Sequence, residues 1–151
     1  MPIDGALATG HHRSSTDLYC FDTDVLSSVL RRDPPLALIR RLATVPADHQ
    51  FTTAITAGEL LYGAAKRGSP GLAERVRRLI SSAVAVLPFD LAAADIYGSL
   101  RLELEAGGKT LDEPDLRIAS IVLANGLTLV TGNVRHFGRV RGLSVENWLG
   151  S

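Results

Sequence analysis

The chain has a single cysteine, Cys20, in 151 residues. An intramolecular disulfide framework is therefore excluded, and a reducing compartment, the cytoplasm, is expected. It has no excess of either charge, with sixteen basic residues against sixteen acidic ones. Bulk charge thus announces neither a nucleic acid nor a membrane, and any such partner has to be held by a local patch. It also lacks a long apolar run. Residues 1–16 carry no signal-peptide core, and the most apolar stretch, Ala83 to Ala94, is broken by Pro88 and Asp90. That is too short to span a bilayer. No internal repeat or low-complexity block is present. The composition that remains, 46% hydrophobic and 21% charged, excludes a wholly disordered chain. At this length folding buries about two-thirds of the unfolded surface, which allows one domain with a real core.

Residues 1–17, with Gly5, Gly10, His11, His12, Ser14 and Ser15, are expected to form a flexible tail ahead of a domain over 18–151. The two histidines are read as tail rather than as metal ligands. Beyond the tail, apolar runs of strand length alternate with helical patterns. Leu18–Phe21 is a buried strand that stops at Asp22. Asp24–Arg32 and Leu36–Ala43 are helices, separated by Pro34 and Pro35. Phe51–Ile55 is a strand, and Thr56-Ala57-Gly58-Glu59 has the form of a capping box for the helix after it. Ser69-Pro70 opens another helix. Val84–Phe89 is a strand, Asp90 caps a long helix to about Ala106, and Asp112 or a neighbour caps the next. Leu127–Thr131 is a strand, with one more at Leu143–Val145. The alternation predicts an α/β domain, a central parallel sheet with helices on both faces. Ligands of such sheets bind beyond the carboxyl ends of the strands.

Four polar positions fall at or near those ends: Asp22 with Asp24, Glu59, Asp115 and Asn133. Asp115 joins the same rim only if the Gly107–Asp112 connection brings its helix back, which is assumed. Each residue alone has a structural explanation as a cap or a turn residue. Together, converging carboxylates repel and need a cation. An oxygen-rich set suits Mg²⁺ or Mn²⁺, and no Cys/His spacing suggests zinc.

The motifs, in order and spacing, resemble those of PIN-domain ribonucleases. Tyr19-Cys20-Phe21-Asp22-Thr23-Asp24-Val25-Leu26 is similar to the first motif, and Thr56-Ala57-Gly58-Glu59-Leu60-Leu61-Tyr62-Gly63 to the second. Asp115-Leu116-Arg117-Ile118-Ala119 is similar to the third. Gly126-Leu127-Thr128-Leu129-Val130-Thr131-Gly132-Asn133, with Phe137, Gly142-Leu143 and Trp148, is similar to the closing one. The similarity runs from about Leu18 to Trp148 and most resembles the VapC toxins of bacterial type II toxin–antitoxin pairs. It implies an Mg²⁺- or Mn²⁺-dependent endoribonuclease, a homodimer, and a VapB-type antitoxin. Asp22, Glu59 and Asp115 match the family's acidic triad and its metal ligands, and Asn133 matches a fourth catalytic position that is Asp or Asn. Asp24, Thr23 and Thr131 are expected in supporting roles.

In-line hydrolysis by a metal-activated water needs no protein nucleophile. His49 and His136 are therefore read as bystanders to the chemistry, with His136 placed to touch a phosphate. Arg135, Arg139 and Arg141 are the expected grip on the RNA backbone. Arg31, Arg32, Arg40 and Arg41 are a second basic group, read as a solvated helix face. Asp112 and Glu113 are read as cap and surface, and Asp95 as surface. Two alternatives compete with this reading. A haloacid-dehalogenase-like phosphatase would use Asp22 as nucleophile and Asp24 as acid, but it needs a lysine and a further acidic motif after Thr131. That segment has no Lys and no Asp. A non-catalytic RNA- or protein-binding module would not require the principal acids, all of which are present.

Overall fold

A computed structural model describes residues 17–150. The tail expected over residues 1–17, with its two histidines, lies outside the described residues except for Asp17. Five short strands are present among the described residues: β1 (Tyr19–Phe21), β2 (Gln50–Thr53), β3 (Ala85–Leu87), β4 (Thr128–Val130) and β5 (Ser144–Glu146). They form one wholly parallel sheet in the order β3-β2-β1-β4-β5. Helices fill the crossovers. α1 (Thr23–Val29) and α2 (Leu36–Leu42) follow β1, and α3 (Ala54–Lys66) and α4 (Pro70–Arg78) follow β2. α5 (Leu91–Ala106) and α6 (Glu113–Asn125) follow β3, and α7 (Val134–Phe137) follows β4.

Strand side chains alternate between two faces, and this splits the core in two. Cys20 and Leu129 pack with Leu100, Leu116, Ala119, Val122 and Phe137, under α5, α6 and α7. Tyr19, Phe21 and Val130 pack with Leu26, Leu38, Leu60 and Val76, under α1 to α4. Both faces are covered, so the central strands read as unbroken apolar runs. Trp148 closes the second core. Its ring meets Tyr19 and Phe21 edge-on at centroid distances of 4.8 and 5.5 Å, and the Arg41 guanidinium lies 4.6 Å over it. The indole N–H and Arg41 both donate to Glu146 Oε1, at 2.9 and 3.3 Å.

Some expected boundaries shift, for local reasons. The helix expected over Asp24–Arg32 is Thr23–Val29, with Leu30 as its C-cap. The strand expected over Phe51–Ile55 ends at Thr53, because Thr53 is the N-cap of α3 and Ala54 and Ile55 are already helical. Thr53 Oγ1 accepts the Thr56 N–H at 3.0 Å, so Thr56 lies inside the helix and is buried. The capping box from Thr56 to Glu59 is therefore corrected: Glu59 sits in the second turn, beyond the reach of any orphan N–H. Asp90 and Ser69 cap α5 and α4 as expected, at 3.0 and 3.1 Å. Asp112 occupies the N-cap of α6 without a side-chain capping bond; Pro114 in the first turn removes one donor that would need it.

Candidate active site

The strand order reverses at the centre of the sheet. β2 and β3 lie on one side of β1, and β4 and β5 on the other. At such a switch point the connections leave in opposite directions and open a crevice beyond the carboxyl ends. Asp22 directly follows β1 and Thr131 directly follows β4. The Asp22 N–H donates to Val130 O at 3.0 Å, and the Thr131 N–H to Glu146 O at 2.9 Å. The ladder thus continues one residue past the strands and holds both residues at the crevice.

Asp22 is 5% exposed, and both its oxygens are engaged. Oδ1 accepts the Thr23 N–H at 2.7 Å, and Oδ2 accepts the Thr131 hydroxyl at 2.7 Å. That hydroxyl in turn accepts the Asn133 N–H at 2.9 Å. Asp24, in the first turn of α1, reaches back over the crevice and accepts the Gly132 N–H at 2.8 Å. A Cβ on Gly132 would lie 2.7 Å from that carboxylate oxygen and 2.8 Å from Leu149 Cδ1. Any larger residue there would force the Asp24 carboxylate and the Leu149 side chain to shift.

The other acids arrive on helices. Glu59, half-buried on α3, accepts the Thr23 hydroxyl at 2.6 Å, with Thr56 Oγ1 3.3 Å from that same hydroxyl oxygen. Thr23 therefore sets Asp22 through its N–H and Glu59 through its side chain. Asp115 stands in the first turn of α6, where the helix dipole favours an anion. It reaches the crevice: the charges of Glu59 and Asp24 act on it, and its own acts on Asp22. The Gly107–Asp112 connection does bring α6 back.

Burial lifts Asp22 to about 7, against the pull of the Thr131 and Thr23 bonds, and the charges of Asp24 and Asp115 add to the rise. Asp115 is pushed up to about 6, first by burial and then by Glu59, Asp112 and Asp24, with His136 opposing. Carboxylates so placed are relieved by a cation. Among the described residues no three His, Cys, Asp or Glu side chains converge closely enough to make a complete metal cage. An open, oxygen-only set of this kind fits Mg²⁺ or Mn²⁺. Such ions keep bound waters and take one or two carboxylates plus substrate phosphate.

Asn133 takes the N-cap position of α7, and its side-chain oxygen is hydrogen-bonded to His136 Nδ1. His136 is thus tied to the crevice through Asn133 and stands close enough to Asp115 to oppose the rise of that carboxyl, a part that sequence reading missed. The signal was the three-residue spacing, which puts both side chains on one helical turn. Other candidates lie elsewhere. Arg139 donates to Thr110 O at 2.7 Å, and Arg141 stands 3.9 Å from Glu103. Both turn toward the end of α5 and the segment before α6; Arg135 is exposed on α7. His49 is bonded to the Asp17 carbonyl, and Asp95 is exposed. Glu113 is held by Tyr97 and Arg117 at the surface, and the Tyr97 bond draws its carboxyl below the usual range. Among the described residues no helix is long and apolar enough to cross a membrane.

Fold and crevice together define a parallel α/β domain with an acidic, oxygen-lined cleft at its switch point. Residues 19–143 match the PIN domain family, and the chain belongs to it. It is 34% identical over 131 residues to Ribonuclease VapC2 of Haemophilus influenzae, covering 87% of this chain and 98% of that protein. It is 32% identical over 130 residues to the tRNA(fMet)-specific endonuclease VapC of Shigella flexneri, covering 86% and 97%. Among solved structures it is similar to VapBC2 from Rickettsia felis bound to a DNA fragment from their promoter. There the TM-score is 0.77 at 27% identity, covering 87% of this chain and 98% of that one.

Proposed function

We propose that this protein is a VapC-type endoribonuclease toxin that hydrolyses RNA phosphodiester bonds with Mg²⁺ or Mn²⁺, and that a VapB-type antitoxin neutralises it. The observation that carries the reading is the joint placement of Asp22, Glu59 and Asp115 at one switch-point crevice, with Asp22 and Asp115 both raised toward neutrality. Names of full-length relatives support the RNA substrate, and VapBC complexes among the similar structures support the antitoxin. The cytoplasm and a homodimeric state belong to the same proposal.

The residues divide the work. Asp22, Glu59 and Asp115 would hold the cation between them, directly or through its bound waters. Thr131 and Thr23 keep the Asp22 and Glu59 oxygens oriented, and Asp24 fixes the β4–α7 turn through Gly132. Asn133 presents a neutral amide where a fourth carboxylate would add charge. A divalent ion bound there supplies Lewis acidity toward the phosphodiester and a water of lowered pKa. Water adds to phosphorus, the bond to the leaving 3′-oxygen breaks, and that oxygen takes up a proton. The 2′-hydroxyl takes no part.

The test is direct. The purified protein should cleave RNA in Mg²⁺ or Mn²⁺, stop in chelator, and leave 5′-phosphate and 3′-hydroxyl ends. Cyclic 2′,3′-phosphate ends would overturn the water mechanism. Expression should arrest growth, and Asp22→Asn or a co-expressed antitoxin should relieve it. Equal growth effects of wild type and Asp22→Asn would overturn the toxin reading.

A further inference from the structure

A groove of about 600 Å³ runs from the crevice along the cleft between α1, α3 and α4. Thr23 and Glu59 stand at its crevice end. Its walls carry four arginines from three separate places: Arg31 and Arg32 in the turn after α1, Arg67 at the end of α3, and Arg75 on α4. Among the described residues, Glu59 is the one carboxylate that lines it.

Elsewhere, Arg41, Arg101, Arg117 and Arg141 face glutamates. Among the described residues none of the four groove arginines is ion-paired, a state they share with Arg40, Arg77, Arg78, Arg135 and Arg139; what sets them apart is that all four line one groove. Arg75 donates to Leu30 O at 3.0 Å, which fixes one guanidinium between α4 and the end of α1. In a chain with sixteen basic and sixteen acidic residues, four unmatched guanidiniums on one groove concentrate positive potential there. The group read from sequence as one solvated face therefore divides. Arg41 packs on Trp148, while Arg31 and Arg32 line the groove.

We propose that this groove carries the RNA backbone into the crevice, with Arg31, Arg32, Arg67 and Arg75 binding successive phosphates. Guanidinium groups spaced along a walled track match a chain of singly charged phosphates. The track ends at a carboxylate that the ribonuclease reading, on which this inference rests, assigns to the reacting centre. Arg139 and Arg141, expected from sequence to grip the RNA, are turned away from this path.

The experiment measures binding of a short single-stranded RNA in chelator across a salt titration, and steady-state cleavage in Mg²⁺. It compares wild type, Arg31→Gln/Arg67→Gln, Arg31→Gln/Arg32→Gln and Arg139→Gln/Arg141→Gln. Arg75 is left intact because its bond to Leu30 O joins two elements, and the second groove pair alters only an exposed turn. Unfolding midpoints check that all variants fold. Each groove pair should flatten the dependence of log affinity on log salt by roughly 1.4, about 0.7 for each lost phosphate contact. KM should rise on the order of tenfold while kcat holds. The Arg139/Arg141 pair should keep the wild-type slope. An unchanged slope and KM in both groove pairs overturns the assignment and leaves the groove as a protein-docking surface. Absence of RNA binding by the wild type overturns it as well. Groove-dependent binding without any cleavage in Mg²⁺ or Mn²⁺ overturns the ribonuclease reading and leaves the phosphate track standing.

Discussion

The two sides of the crevice are built differently. On the strand side, Asp22 has both oxygens bonded, by the first residue of α1 and by Thr131, and Asp24 of α1 is anchored to Gly132, so the start of α1 is locked to the rim of the sheet. On the helix side, Glu59 rests on one threonine hydroxyl, and Asp115 is placed by the dipole and position of α6 rather than by a bond to a neighbour. Burial follows the same division: Asp22 is buried and Asp115 half-buried. A site that must accept an ion together with a phosphate benefits from one rigid wall and one that adjusts. Under the proposed function, the rigid wall would define where the ion sits.

The largest effect should come from removing charge on either wall. Asp22→Asn and Asp115→Asn should each reduce RNA cleavage by orders of magnitude in Mg²⁺. They should part company in chelator at neutral pH, where Asp22→Asn raises the unfolding temperature more, because its carboxylate is the more deeply buried. Equal shifts would erase the distinction between the walls.

The pH dependence of the metal-free protein sharpens it. Asp22 rises from its ordinary value of 3.8 to about 7 on folding. Between those values the native state holds a proton that the unfolded chain has lost, so stability is greatest near pH 4 and falls as pH rises toward 7. The fall should be on the order of 3 kcal/mol for Asp22. It should be smaller for Asp115, which water screens more. Asp22→Asn should remove most of this slope in denaturant titrations. Apparent Mg²⁺ affinity should rise over the same range, since binding expels that proton.

The smallest effects concern the threonines. Thr131→Val leaves Asp22 Oδ2 and the Asn133 N–H without their shared partner and should cost about 1–3 kcal/mol in chemical unfolding. Thr23→Val, on the more open wall, should cost less stability. Each should lower metal affinity or cleavage by about 10–100-fold, as lost orienting partners do. Serine at either position should restore most of the loss.

Much of this was legible beforehand, for reasons that differ by element. The strand–helix alternation and the abrupt stop of Leu18–Phe21 at Asp22 announce a parallel sheet with polar residues at its rim. The ordered motifs name the acids. The N-terminus of α3 was misplaced because Thr53 and Thr56 lie three residues apart and either can cap a helix. Only the fold of β2 decides between them. The role of Thr23 hinges on a contact across thirty-six residues, and no local pattern encodes that. Side-chain direction after β4 was equally hidden. Arg135, Arg139 and Arg141 are close in sequence, yet Arg139 and Arg141 turn toward Thr110 and Glu103.

Trp148 is the chain's one tryptophan. It is 4% exposed and wedged against the two aromatic residues of the strand that ends at Asp22. The protein thereby carries its own fluorophore at the centre of one core, shielded from solvent and capped by a stacked guanidinium. Its emission reads packing around that strand without any label. Loss of the Arg41 stack, loosening of β1 and global unfolding should each change its colour or intensity by a different route.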